Sequence, residues 1–353
     1  MSDHLLARAR TVSGAVQVTA PADDLTDLAA LFGPFVDLVP DQDPSPHLPS
    51  VHVTREAPTG PGWRRIVTTS AYEPDRVLWV HDERQAVTVV GQAGDWRTQH
   101  LLRSVRHLLR WQAYAAGDLL LHGGLVIAGG RGVGFVGGKR SGKTSSILSA
   151  LVHGGAAFVS NDDLAVVEGP ESGLLGYGSP RTVNVRTDSL LALARTYPAL
   201  AGLLADARHP TNAFEGRHRT VESINTETGT RLPGSIWVRA TELAATVGAE
   251  LRATAAVDAL VFPTFADNGE PELTRLSRPA AADALAEHVE REGTKYDPFL
   301  ADWFPRTDTV RRRRLIDQIL TSVPCYRLTQ DMRRLPEATA MLLREIGAVG
   351  VPE

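Results

Sequence analysis

The chain has a single cysteine, Cys325, in 353 residues. That excludes an internal disulfide framework and agrees with a reducing cytoplasm. Within the strand-like run Val323-Pro324-Cys325-Tyr326-Arg327-Leu328, its thiol reads as a buried, inert side chain. Long apolar runs are also missing. No stretch approaches the ~18 residues of a membrane span, and Met1 to Ala20 lacks the continuous apolar segment of a signal peptide. A cytoplasmic protein with no membrane partner is the expectation. Nor is charge of one sign concentrated in a tail, the formal net charge being −4. Nucleic acid, which asks for a concentrated basic surface, is therefore not an expected partner. The run Arg311-Arg312-Arg313-Arg314 is the exception. Placed before Leu315-Ile316-Asp317-Gln318-Ile319-Leu320, it reads as the opening of a surface helix with a solvated face. His153, His209 and His218 have no partners at metal-ligand spacing, which leaves a zinc site without support. There is no G-x-S-x-G nucleophile elbow either, and no internal repeat.

What is present is the composition of an ordinary globular protein, 43% hydrophobic and 22% charged, with length for two domains or one large one with an appendage. Residues 16–90 mix short strands (16–18, 51–53, 77–80, 86–90) with proline-rich turns. They suggest a small α+β domain over residues 1–95 without catalytic residues of its own. A long helix from about 95 to 116 follows, its leucines in helical period and Arg103, Arg106 and Arg110 on a face expected to be solvated; Gly117 ends it. Beyond it, strands are expected at 119–122 and 125–128, the second joined through the glycine turn 129–132 to the strand that enters the next loop, a hairpin signal. Further strands are expected at 133–136, 156–160, 164–167, 235–238 and 259–262. Helices are expected at 144–152, 189–205, 279–291 and 336–346. The whole is an α/β chain, with residues 96–353 as the second domain and the number of subunits left open.

The segment Gly137-Gly138-Lys139-Arg140-Ser141-Gly142-Lys143-Thr144 fits G-x-x-x-x-G-K-[ST] at every fixed position. A plain glycine turn with a surface lysine is the alternative. A short apolar strand enters this loop and a helix leaves it, the context that distinguishes a phosphate cradle from a chance match. Glycines let backbone N–H groups converge on phosphate oxygens, and the helix start adds its positive dipole end. Residues 137–145, Ser145 included, are thus candidates to bind ATP. Lys143 would reach the β- and γ-phosphates and the Thr144 hydroxyl would hold Mg²⁺.

Asp162 and Asp163 end the next strand, on the sheet edge where the loop opens. Two adjacent carboxylates there could divide two tasks, one holding the metal and the other accepting the proton of an attacking hydroxyl. An Asx turn closing the strand is the structural alternative. His122 closes a strand that the hairpin would set beside the loop strand, which lifts it above an ordinary core histidine.

Leu121-His122-Gly123-Gly124-Leu125-Val126, Gly132 to Gly137, Ser141-Gly142-Lys143-Thr144, His153-Gly154-Gly155-Ala156 and Val159-Ser160-Asn161-Asp162-Asp163 together resemble the catalytic domain of the HPr kinase/phosphorylase family. The match covers about 119–167. It implies an ATP- and Mg²⁺-dependent kinase with a fold related to phosphoenolpyruvate carboxykinase, with Asp162 as general base, Asp163 as magnesium partner and His122 in the active site. Where the family's loop closes on Lys-Ser and an acidic residue, this chain has Thr144 and Ser145. The family's glycine-rich second signature has no counterpart between Gly169 and Pro263. The chain is thus more similar to a divergent branch, some members of which resemble kinases that phosphorylate a serine of a biosynthetic peptide.

The expected activity is transfer of the γ-phosphate of ATP to a hydroxyl. A nucleotide-binding scaffold and a kinase of a small alcohol are the competing readings. Residues 206–233 are too long and polar for an ordinary connector. With Arg217, Arg219 and Arg231 they suggest a loop that orders over a peptide or protein acceptor.

Overall fold

The computed structural model describes residues 4–215, 223–225, 231–267, 269–290 and 297–348. It is a mixed α/β protein whose contacts fall into two compact units. The first takes the described parts of 1–117, 210–220 and 292–308, and the second those of 118–209, 221–291 and 309–353. The long helix Asp95–Ala115 lies in the first unit rather than opening the second.

The first unit is built on a seven-stranded sheet. Its strands run in the order Asp37–Pro40, His4–Arg10, Ala15–Pro21, Ser50–Thr54, Ala86–Val90, Glu73–His81, Trp63–Ser70. Alternate residues Val16 and Val18, Val51 and Val53, Leu78 and Val80 are buried, as the two-residue period of a strand requires. Helix Ala22–Phe32 and helix Asp95–Ala115 pack against this sheet, burying Leu28, Phe32, Leu101, Val105 and Leu108.

The arginines of the long helix do not form a solvated face; Arg106 and Arg103 are half-buried. Arg110 is buried, Arg103 pairs with buried Glu73, and Arg97 holds Asp24 through two bonds of 2.7 and 3.1 Å. Near them Arg76, itself buried, forks onto Asp297, and His107 Nδ1 stands 3.0 Å from the same carboxylate. Charges taken out of water must be paired, and acids distant in sequence supply the partners.

Burial, with Arg76 and Arg103 beside it, pushes the His100 imidazole down to about 4. Unfolded, it would titrate near 6.5, so the unfolded chain takes up the proton first as pH falls. His100 therefore contributes stability above pH 6.5 that is lost between 6.5 and 4, up to about 3 kcal/mol. Asp297, held below the carboxylate range by His107 and Arg76 against the opposing effect of burial, has the same sign at lower pH. The urea midpoint of the first unit, followed by tryptophan fluorescence, is expected to fall between pH 7.5 and 5. His100→Gln should flatten that fall, and a midpoint independent of pH would count against a neutral, half-buried imidazole.

The second unit carries two larger sheets and, among the described residues, two of two strands, Val183–Arg186 with Ser235–Val238 and Ser223–Asn225 with Arg231–Pro233. The six-stranded one runs Ala157–Ser160, Gly123–Ala128, Arg131–Val136, Ala259–Phe265, Cys325–Gln330, Glu272–Arg275; the four-stranded one runs Thr254–Ala256, Leu174–Tyr177, Leu164–Glu168, Leu119–Leu121. Strand Arg131–Val136 is parallel to Ala259–Phe265, which is parallel to Cys325–Gln330. Ala157–Ser160 and Arg131–Val136 both run antiparallel to the strand between them, so the carboxyl ends of these four strands share one edge.

The helix expected over 189–205 is two, Thr187–Ala194 and Ala199–Asp206. Pro198 cannot donate to a continuous ladder and turns its predecessor away from helix. The helix expected to reach 291 ends at Ala286. The arginine run does open a helix, Thr309–Ser322, but Arg311 is tied to Asp118 at 3.4 Å and to Glu168 at 3.3 Å, and Arg312 donates to the Asp118 carbonyl. Cys325 is buried, its thiol pushed up to about 11 by desolvation. Among the described residues no helix is long and apolar enough to cross a membrane. Of the polar segment, Arg217 and Arg219 lie outside the described residues, and Arg231 is exposed in a short strand, Arg231–Pro233, paired with Ser223–Asn225.

Candidate active site

Two strands of the second unit cross from one sheet to the other at the same place. Leu119–Leu121 pairs with Leu164–Glu168 in the four-stranded sheet, Leu121 opposite Leu164. After the crossing Gly123–Ala128 pairs with Ala157–Ser160 in the six-stranded sheet, Leu125 opposite Ser160. Residues 122–124 and 161–163 face each other across the bend. The approach is too close for a side chain at Gly124, where a Cβ would lie 2.5 Å from the Ser160 carbonyl oxygen. The bend sets His122 Nε2 2.6 Å from Asp162 Oδ1. His122 thus reaches the site by a different route from the expected one. The strand it follows belongs to the other sheet, and the loop strand's partner begins one residue later, at Gly123.

The loop strand Arg131–Val136 buries Val133, Phe135 and Val136 and delivers the chain to residues 137–142, after which Lys143–Gly154 is helical. Gly142 has φ +104°, a conformation costly to any residue with a Cβ, and a Cβ there would also strike Gln330 Nε2 at 2.7 Å. At Gly137 a Cβ would come within 2.5 Å of Ser141 Oγ, a buried hydroxyl with no hydrogen-bond partner among the described residues. Lys139 and Arg140 are exposed and Gly138 is half-buried. The Lys143 ammonium is buried; it donates to the carbonyls of Gly137 (2.6 Å) and Gly138 (2.9 Å) and lies 3.6 Å from Asp162 Oδ1. Thr144 Oγ1 donates to Asn161 Oδ1 at 3.2 Å. The Ser145 side chain turns away, donating to Ser189 Oγ at 2.9 Å, which leaves its backbone N–H as its contribution to an anion.

Asp162 sits in the left-handed region, φ +64°, which an aspartate enters more readily than most residues but still at a cost. Besides His122 and Lys143 it meets Arg181, whose Nη2 is 3.0 Å from Oδ2 and whose Nη1 donates to the Asp162 carbonyl at 3.2 Å. Burial opposes the charge on Asp162. The His122 hydrogen bond, Arg181 and Lys143 outweigh it and hold the carboxyl well below the usual range. Asp163 is fully buried and accepts from Ser179 Oγ at 2.5 Å. The backbone N–H of His122 donates to the His288 carbonyl at 3.0 Å, and the His288 ring stacks on Phe262. Arg181, Ser179 and His288 belong to no motif.

Among the described residues no three of His, Cys, Asp and Glu gather into a metal cage. Magnesium does not call for one, since it keeps several waters and takes one or two protein oxygens beside the phosphates. The oxygen-rich bend, with the Thr144 hydroxyl, the Asn161 amide and the aspartate pair, fits that demand.

No family model matches this sequence, and no curated protein does. Among solved structures the HPr(Ser) kinase/phosphatase from Coxiella burnetii is similar over 64% of this chain and 94% of that one, with 12% identity and a TM-score of 0.27. The side chains themselves must therefore carry the functional reading.

Proposed function

We propose that the second unit is a phosphotransferase that moves the γ-phosphate of ATP to a hydroxyl, with a peptide or protein as the acceptor. The observation that carries this is the ionised Asp162, held in a left-handed backbone conformation at the lip of a phosphate-loop sequence and met there by His122, Lys143 and Arg181.

Each residue then has a distinct task. The loop N–H groups and the first turn of helix Lys143–Gly154 bind the polyphosphate. Lys143 exchanges its carbonyl partners for phosphate oxygens, and Arg181 offsets the charge that develops on the transferring group. Asp162 accepts the hydrogen bond of the attacking hydroxyl, orients its oxygen toward the γ-phosphorus and takes the proton as the new P–O bond forms and the bond to ADP breaks. His122 holds the Asp162 carboxylate in place. Magnesium, held by Thr144 and Asp163, would neutralise phosphate charge. A peptide acceptor is favoured by the length and polarity of 206–233.

The test is a transfer screen with γ-labelled ATP against serine-bearing peptides, whole proteins and small alcohols. Label in a peptide or protein hydroxyl is the expected result. Label in a small alcohol would move the acceptor class. Tight ATP binding with neither transfer nor hydrolysis would replace the enzyme with a nucleotide-binding scaffold.

A further inference from the structure

Phe265 ends the strand Ala259–Phe265, immediately beside the loop strand, and is among the few large apolar side chains of the described residues that are exposed. A single exposed phenylalanine is unremarkable by itself; its position is what separates this one. The ring edge abuts the loop, since a Cβ on Gly142 would lie 3.1 Å from Phe265 Cε2 and 3.2 Å from Cζ. Its backbone is pinned. Phe265 pairs with Gln330 in the parallel ladder, and the Ala266 N–H donates to the Gln330 carbonyl at 3.0 Å. Gln330 is buried, and its amide donates to Ser146 Oγ at 2.8 Å, which in turn donates to the Gly142 carbonyl at 3.1 Å. The aromatic face is thus held in register with the phosphate loop.

Strand order gives the site a direction. Asp162 follows the strand Ala157–Ser160, on one side of the loop strand, and Phe265 ends the strand on the other side. A nucleoside triphosphate is a linear ligand. If its γ-phosphate lies toward Asp162, as the proposed function requires, the nucleoside leaves the loop on the side of Phe265. We infer that Phe265 is the platform on which the base of the bound nucleotide stacks, and that it favours purines, whose larger π-face covers more of the ring. This rests on the reading of residues 137–145 as a triphosphate cradle and adds to it the residue that recognises the base.

Calorimetry with ATP, CTP and inorganic tripolyphosphate separates the two. Wild-type protein should bind ATP more tightly than CTP. Phe265→Ala should weaken ATP roughly 5–150-fold, the range for loss of a base–aromatic stack, leave tripolyphosphate unchanged and erase the preference over CTP. Phe265→Trp should restore ATP affinity. Unchanged ATP affinity in Phe265→Ala would overturn the inference while leaving the cradle intact. An equal loss for tripolyphosphate would overturn it too, because the ring would then be propping Gly142 rather than holding a base. Wild-type protein that binds neither ATP nor tripolyphosphate would remove the cradle, and the platform with it.

Discussion

Lys143→Ala is expected to abolish phosphate transfer and to weaken Mg·ATP binding by at least tenfold in a protein that still folds. In the structure the ammonium is buried, bonded to the Gly137 and Gly138 carbonyls and 3.6 Å from Asp162. Its hydrogen-bond partners are neutral carbonyls, which a polyphosphate outcompetes, and Asp162 shares its charge with His122 and Arg181. A hydrogen bond to a charged group is worth roughly 1.5–3 kcal/mol, and Lys143 would make such bonds to phosphate oxygens. Folding loses less, because the apolar strand and helix that frame the loop do not depend on the ammonium. Lys143→Arg should not rescue function, since a planar fork cannot replace a compact point charge in a buried position. Calorimetry with Mg·ATP, beside a thermal melt to establish folding, is the measurement. Unchanged affinity in a folded variant would remove residues 137–145 from the nucleotide site.

Structure written in local backbone conformation was legible from residue types alone. The glycines of the loop, the apolar strand before it and the aspartate pair at the end of the next strand constrain their own neighbourhoods, and each lies where it was expected. The crossing between sheets was not read, although Gly123-Gly124 carried its signal: two glycines break what otherwise looks like one apolar run, because Phe135 and Val136 pass against the first and Ser160 and Asn161 against the second. Arg181 left no signal. Its place at Asp162 depends on how the strands Leu174–Tyr177 and Val183–Arg186 carry the segment between them back to the bend, a long-range fact without a local pattern. The arginines of helix Asp95–Ala115 misled for the same reason. Helical period assigns them to a face, but only the fold brings Glu73 to Arg103 and Asp297 to Arg76 nearby. In the helix expected over 189–205 apolar spacing overrode a plain stop signal, Pro198, which does interrupt it.

Asp162→Asn is expected to keep Mg·ATP binding and lower turnover by roughly 10²–10⁴-fold, the worth of a positioned proton acceptor. Asparagine is the right replacement because, like aspartate, it tolerates φ near +60°, so the bend keeps its shape at Asp162, where φ is +64°; alanine would add strain to the loss of charge. The amide can still accept one hydrogen bond from His122, but it can no longer take a proton. Removing the carboxylate also leaves Lys143 and Arg181 without their shared counter-charge, and two unneutralised cations beside the loop attract a polyphosphate. ATP should therefore bind as well as before or better while kcat falls, a split that a merely structural role for Asp162 would not produce, since loss of the bend would weaken binding and turnover together. Asp163→Asn should act differently. That side chain is fully buried against Ser179, and its proposed task is at the metal, so its variant should need more magnesium to reach a given rate. Turnover of Asp162→Asn within tenfold of wild type would place the proton acceptor elsewhere. Should Asp163→Asn lose turnover while Asp162→Asn changes only the magnesium dependence, the two carboxylates would exchange roles.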